Sequence, residues 1–86
     1  LVDRAKQLGF DLLEVPLMEI DLVDPVAIDD RAAAAGLGLC TSTACAADTD
    51  PTAEDPAVRR RGVDYLNQCI RATAAMGATV FTGVTY

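Results

Sequence analysis

The chain has 86 residues, a formal net charge of −6 and 51% apolar residues, so we expect one small globular domain rather than a disordered segment. The acidic charge argues against a nucleic-acid partner, because phosphate backbones are bound by clustered Lys and Arg. No apolar run approaches the length needed to cross a bilayer and no signal peptide opens the chain, so we expect a cytoplasmic protein without membrane contact.

The first predicted element is a helix over residues 1–8 that ends at Gly9 and is followed almost at once by a strand. The same junction recurs at Gly36 and Gly77. Glycine is favoured at the left-handed position after a helix, and such short turns are common between helices and strands. The repeat predicts alternating helices and short, buried parallel strands, the latter over residues 12–17, 37–43 and 79–84.

Two of the helices have clear starting signals. Asp24-Pro25 and Asp55-Pro56 each place a capping carboxylate before a proline whose missing N–H costs nothing in the first turn. The strand-to-helix loops before these signals, about 18–23 and 44–54, are longer than the helix-to-strand turns. Since α/β barrels build their ligand sites from these loops, we expect any site of this chain to lie there.

The cysteines do not suggest a metal or disulfide site. Cys40, Cys45 and Cys69 form an odd set without C-x-x-C spacing, and the chain contains no histidine. We therefore interpret the three side chains as small buried hydrophobes.

Side-chain alternation divides each strand into two sets, of which one is large and apolar and should pack on helices. That set comprises Leu13, Val15, Leu17, Leu37, Leu39, Thr41 and Phe81. The other set is smaller and becomes polar toward the strand ends, and it comprises Leu12, Glu14, Pro16, Gly38, Cys40, Ser42, Val80, Thr82 and Val84.

In a barrel the second set faces inward, which makes Ser42 and Val84 wall residues of a pocket at the strand ends. Glu14 lies one layer deeper, either as a ligand contact or as a carboxylate satisfied by neighbouring donors. Three strands cannot close a barrel, and the chain begins at Leu1, within a helix, rather than at Met. We therefore expect residues 1–86 to be a piece of a larger (β/α)8 barrel, that is, an α/β fragment with about three parallel strands and three helices.

Four segments in order carry a resemblance to a known family. They occupy residues 9–15, 36–39, 55–62 and 76–84, and they run GFDLLEV, GLGL, DPAVRRRG and MGATVFTGV. This series resembles the D-tagatose/D-psicose (ketose) 3-epimerase family, within the xylose-isomerase-like sugar isomerase/epimerase superfamily. The resemblance covers nearly the whole chain, and it implies the N-terminal half of a TIM barrel, from the end of the first helix through the fourth strand.

The resemblance implies a metal-dependent isomerase that interconverts ketohexoses at C3 by proton abstraction through an enediolate. A divalent ion, Mn, Mg or Co, is held in that family by two glutamates, an aspartate and a histidine from later strands. None of those positions lies in this chain, so we expect it to bind no metal, to supply no catalytic residue and to be inactive alone. The match assigns Ser42 and Val84 to the substrate pocket, where side-chain alternation also places them with Glu14. We expect the full-length protein to bind a small-molecule sugar and to form a homo-oligomer.

Two alternatives stay open. A hydroxypyruvate isomerase or an inosose dehydratase of the same superfamily would share the half-barrel and differ in substrate. A small, non-catalytic, acidic α/β module is the alternative from another class, because receiver-type domains also combine parallel strands with acidic residues at the strand ends.

Overall fold

The computed structural model describes residues 2–85, over which the chain forms three α-helices, two 3₁₀ helices and three strands. The two 3₁₀ helices, Ile20–Leu22 and Ala47–Thr49, lie in the strand-to-helix connections and had not been predicted. None of the helices in residues 2–85 is long and apolar enough to span a membrane. The other elements alternate as predicted: α1 (Val2–Gln7), β1 (Leu12–Pro16), α2 (Pro25–Ala35), β2 (Gly38–Ala44), α3 (Pro56–Ala75) and β3 (Phe81–Val84).

All three helix-to-strand junctions have the left-handed glycine that the sequence predicts. The φ angles of Gly9, Gly36 and Gly77 are 86°, 68° and 72°. In each junction the residue after the glycine donates its N–H to the carbonyl five residues earlier, which satisfies one of the free carbonyls of the last turn. These bonds are Phe10 to Ala5 at 3.2 Å, Leu37 to Ala32 at 2.9 Å and Ala78 to Thr73 at 3.1 Å.

The two aspartate caps are also confirmed. The Asp24 carboxylate accepts a hydrogen bond from the Ala27 N–H at 3.1 Å, and the Asp55 carboxylate accepts one from the Ala57 N–H at 2.9 Å. Each cap satisfies a backbone donor in the first turn of its helix and is typically worth about 1 kcal/mol.

The strands form one parallel sheet in the order β1-β2-β3. β1 pairs along β2 from Leu12 opposite Gly38 to Pro16 opposite Ser42. β3 pairs only with the later part of β2, from Thr41 opposite Phe81 onward. This offset explains why β3 begins two residues later than predicted, since residues 79 and 80 precede the first paired row. The predicted bounds of β1 and β2 are each wrong by one residue.

The helices cover one face of the sheet. Leu17, Met76, Thr41 and Cys69 are fully buried there, in the layer between the sheet and α3. Burial of a side chain the size of Leu17 or Met76 stabilises the fold by about 1.5–3 kcal/mol. The predicted division of side chains is confirmed, because the helix-facing set is buried or half-buried while most of the other set is exposed. Of the three cysteines only Cys69 is fully buried, whereas Cys40 and Cys45 are half-buried.

Hydroxyl groups connect α3 to the sheet within this apolar layer. Thr73 donates to the carbonyl of Cys69 in its own helix at 2.7 Å, and its hydroxyl lies 2.7 Å from that of Thr41. Because Thr73 uses its one proton on the Cys69 carbonyl, Thr41 donates to Thr73 at 2.7 Å rather than to the more distant Val80 carbonyl at 3.4 Å. Tyr65 likewise donates to the carbonyl of Leu17 at 3.0 Å and hydrogen-bonds to Thr43. Among the described residues, no buried side-chain nitrogen or oxygen lacks a partner.

The loop after β2 lies directly against α3 at Gly62. A Cβ at this position would lie 2.6 Å from both the Pro51 nitrogen and the Thr49 carbonyl oxygen. Arg61 adds a hydrogen bond from its Nε to the carbonyl of Asp48 at 3.1 Å. The absence of a side chain at Gly62 therefore lets the backbone of the loop reach the helix.

We expect Gly62→Ala to destabilise the protein. Alanine raises helix propensity by about 1 kcal/mol, but the overlap with two backbone atoms of the loop costs about 2–3 kcal/mol, at the upper end for overpacking, so the net loss should be ~1–2 kcal/mol in urea unfolding. Asn67→Ala, at an exposed position of α3, is the control and should stay within about 0.5 kcal/mol of the wild type. A Gly62→Ala protein as stable as the wild type would contradict this close packing.

The stability should fall in alkaline solution. Burial raises the pKa of Cys69, of Cys45 and of Tyr65. Each group holds its proton more tightly in the folded state, so the free energy of unfolding falls as pH rises above the ordinary values, about 8.5 for a thiol and about 10 for tyrosine. Urea midpoints between pH 8 and 11 measure this decline. It should be shallower above pH 10 in Tyr65→Phe than in Asn67→Ala, and equal slopes would refute the assignment to Tyr65.

Candidate functional site

The carboxyl ends of the three strands lie at one edge of the sheet because the strands are parallel. The connections over residues 17–24 and 45–55 begin at this edge. We call the edge and these two connections the mouth. It is the part of an α/β unit where ligands are usually bound.

Backbone hydrogen bonds fix the strand ends at the mouth relative to one another. The N–H of Leu17 donates to the carbonyl of Ser42 at 2.8 Å, and the N–H of Cys45 donates to the carbonyl of Val84 at 2.9 Å. In each case the first residue after one strand hydrogen-bonds to a residue near the end of the next strand. The main-chain positions of Ser42 and Val84 are therefore set by their neighbours.

The structure places all three predicted site residues on the face of the sheet that the helices leave open. Ser42 is half-buried in a row with Pro16 and Thr82. Val84 is 47% exposed and lies in the next row toward the mouth. Glu14 is exposed one row deeper than Ser42, opposite Cys40. Their shared face agrees with the sequence analysis, and their role in substrate binding stays a prediction.

The sequence predicts that a site lies in the strand-to-helix connections, but no individual residue of the first connection was assigned to it. A cavity of about 280 Å³ lies there, lined by Pro16, Met18, Glu19, Leu22 and Val23. Leu22 is 79% exposed and Met18 is 57% exposed. Pro16 belongs both to this cavity and to the row of Ser42, so the two are continuous. The apolar residues Met18, Leu22 and Val23, in a loop where a site was expected, are the sequence signal that could have indicated this cavity.

The mouth is acidic. The two connections contain seven carboxylates and neither Lys nor Arg, the acidic residues being Glu19, Asp21, Asp24, Asp48, Asp50, Glu54 and Asp55. Hydrogen bonds from the hydroxyl and the backbone N–H of Thr52 lower the pKa of Asp50, which keeps that carboxyl charged. Arg59 and Arg61 of α3 donate to backbone carbonyls of the second connection, but the seven carboxylates outnumber them, and the net negative charge favours neutral ligands over anions.

The open face offers hydroxyls, apolar surface and the carboxylate of Glu14. The Ser42 hydroxyl can donate and accept, the Thr82 hydroxyl donates to the Thr41 carbonyl at 3.5 Å and can still accept, and Pro16 and Val84 present apolar surface. Within residues 2–85, no three His, Cys, Asp or Glu side chains are grouped so that they could hold a metal ion. The chain alone does not fit the divalent ion that the resemblance implies.

Comparison with known proteins gives relatives of one kind. No protein-family profile matches the chain. The ketose 3-epimerase of Arthrobacter globiformis is 38% identical over 85 residues, which cover 99% of this chain and 29% of that protein. The L-ribulose 3-epimerase of Mesorhizobium japonicum is 33% identical over 81 residues, or 94% of this chain and 27% of that protein.

The solved structures agree. A D-allulose 3-epimerase from Methylomonas sp., in complex with D-allulose, superposes with a TM-score of 0.92 at 27% identity, covering 99% of this chain and 30% of that one. The predicted fold class, a fragment of a (β/α)8 barrel, is confirmed. The chain spans about 30% of the length of these relatives. It is a homologue, over nearly its whole length, of a segment of the ketose 3-epimerases.

Proposed function

We propose that the protein containing this chain is a metal-dependent ketose 3-epimerase, and that residues 1–86 form one wall of its sugar-binding cavity. The observation that carries the proposal is the open inner face of the sheet, with Ser42, Val84 and Glu14 on it, in a chain related to ketose 3-epimerases. We further propose that the protein works in the cytoplasm as a homo-oligomer.

The charge of the mouth supports a neutral sugar as the substrate. The two connections contain seven carboxylates, which outnumber the two arginines of α3 that contact the second connection, Arg59 and Arg61, and this excess of negative charge disfavours a phosphorylated sugar or a keto acid. A ketohexose carries no charge and presents hydroxyls in several directions. The acidic mouth therefore favours an epimerase of free ketoses over a hydroxypyruvate isomerase, whose substrate is an anion.

The residues of the wall have distinct roles in this proposal. The Ser42 hydroxyl exchanges hydrogen bonds with a sugar hydroxyl, and Val84 contacts the C–H surface of the sugar. Glu14, one row deeper, accepts a hydrogen bond from the sugar. These contacts orient the substrate, and proper orientation is a large part of the rate enhancement in enzymes.

The chemistry itself belongs to groups outside this chain. Epimerisation at C3 removes a proton from one face of the carbon and adds a different proton, from a second group, to the opposite face of the enediolate, which needs positioned base and acid groups. The described residues include no cluster that fits the divalent ion, so the ion and the acid/base pair are assigned to the rest of the barrel. The 86 residues alone should consequently be inactive.

The first test is the activity of the full-length protein. We expect it to epimerise D-fructose or D-tagatose, and in D₂O to incorporate one deuterium at C3, with activity lost after chelation and restored by Mn²⁺, Mg²⁺ or Co²⁺. The assay also includes hydroxypyruvate and inosose. Turnover of either one without ketose epimerisation would replace the proposal with that activity, and no turnover at all would favour a non-catalytic module.

The second test concerns the wall. Ser42→Ala removes one hydrogen bond to the sugar and should lower kcat/KM about fivefold to tenfold, because such a bond is worth about 1 kcal/mol. Thr79→Ala is the matched control, since it removes an exposed hydroxyl at the opposite end of the sheet. Equal kcat/KM values for the two variants would show that Ser42 does not contact the substrate.

A further inference from the structure

We propose that Tyr65 is a positioning residue of the site: its hydroxyl joins the end of β1 to β2 behind the mouth and thereby holds Ser42 in place. This inference rests on the proposed function, because it concerns the same sugar-binding wall. Tyr65 lies on α3, on the helix-covered side of the sheet, and does not reach the open face where substrate would bind.

The hydrogen bonds of the Tyr65 hydroxyl have one consistent direction. Its only proton goes to the carbonyl of Leu17, at 3.0 Å. The Thr43 hydroxyl, which also contacts it, must then be the donor in that second bond. The Tyr65 side chain on α3 thus hydrogen-bonds at the same time to Leu17, just past the end of β1, and to Thr43 of β2.

Both of these residues are coupled to Ser42. Leu17 donates its own N–H to the Ser42 carbonyl at 2.8 Å, and Thr43 is the next residue after Ser42 along β2. Since β1 ends at Pro16, the Leu17 carbonyl lies beyond the paired strand residues, and the tyrosine hydroxyl serves as its partner. Without the Tyr65 hydroxyl, Leu17 would keep only one of these two backbone hydrogen bonds, the one from its N–H to Ser42.

The fold contains a matched comparison in the pair Thr73 and Thr41. Thr73 also lies on α3 and also hydrogen-bonds to a threonine of β2, but that threonine lies two residues before Thr43 and farther from the mouth. Its proton goes to the Cys69 carbonyl within α3 and not to β1. Thr73 therefore joins helix to sheet with similar chemistry but does not hold the end of β1.

The experiment compares Tyr65→Phe with Thr73→Val in the full-length protein. Both variants should lower the thermal midpoint, because each leaves a buried polar group without its partner. Only Tyr65→Phe should raise KM for the ketose, about fivefold to tenfold, while kcat changes less than about twofold. Thr43→Val, which keeps the bond from Tyr65 to Leu17, should have a smaller effect, and Thr43→Ser should restore the wild-type KM.

Amide hydrogen exchange provides a readout that does not depend on activity. The Leu17 N–H should exchange faster in Tyr65→Phe than in Thr73→Val, because the bond from that N–H to Ser42 opens more often when the carbonyl side of Leu17 is released. Wild-type exchange at Leu17 in Tyr65→Phe, or a KM equal to that of Thr73→Val, would overturn the inference. A wild-type protein without epimerase activity would instead refute the proposed function, and exchange at Leu17 would still decide the role of Tyr65.

Discussion

Leu17 is the residue on which the arrangement of the mouth depends. Its side chain is completely buried between the sheet and α3, its N–H is bound to Ser42, and its carbonyl is bound to Tyr65. The buried side chain and the two backbone hydrogen bonds together fix the position of Leu17. The first loop leaves the sheet from a rigid position, even though Met18 and Leu22 only a few residues later are exposed.

The two faces of the sheet differ because of how its strands are connected. Both crossovers lead to the next strand in the same direction, from β1 to β2 and from β2 to β3, and crossovers of one hand in one direction place their helices on the same side of the sheet. The covered side contains the core and the hydroxyl bonds to α3. The open side carries Leu12, Pro16, Val80 and Val84, all exposed. A face of this composition fits the interior of a closed barrel better than the surface of an independent module.

Much of this fold could be predicted from the sequence because the local signals are strong. The glycine junctions, the aspartate caps and the alternation along each strand have direct physical causes, and each was found where expected. The offset of β3 against β2 could not be predicted, since register depends on how the strands pack against α3. The 3₁₀ helices were missed for the same reason, because the second of them is held by contacts to α3 that are distant in sequence.

The site was predicted less completely than the fold. Alternation alone places Ser42, Val84 and Glu14 on one face, but it does not show which helix side chains contact the opposite face of the same strands. Tyr65 was therefore missed, since a tyrosine in an amphipathic helix is usually a packing residue and its bond to Leu17 joins positions 48 residues apart. A hydroxyl that positions a site from the opposite, helix-covered face of the sheet has no sequence signature of its own.

The contact at Gly62 has a consequence for how freely the second loop can vary in sequence. The second loop is anchored through its backbone, at Thr49 and Pro51 against the glycine and at the Asp48 carbonyl on Arg61. Side chains of the exposed residues before that anchor, Ala46 and Ala47, take no part in it. Substitutions confined to those two alanines would vary the exposed surface of the second loop at the mouth while leaving its attachment to α3 intact.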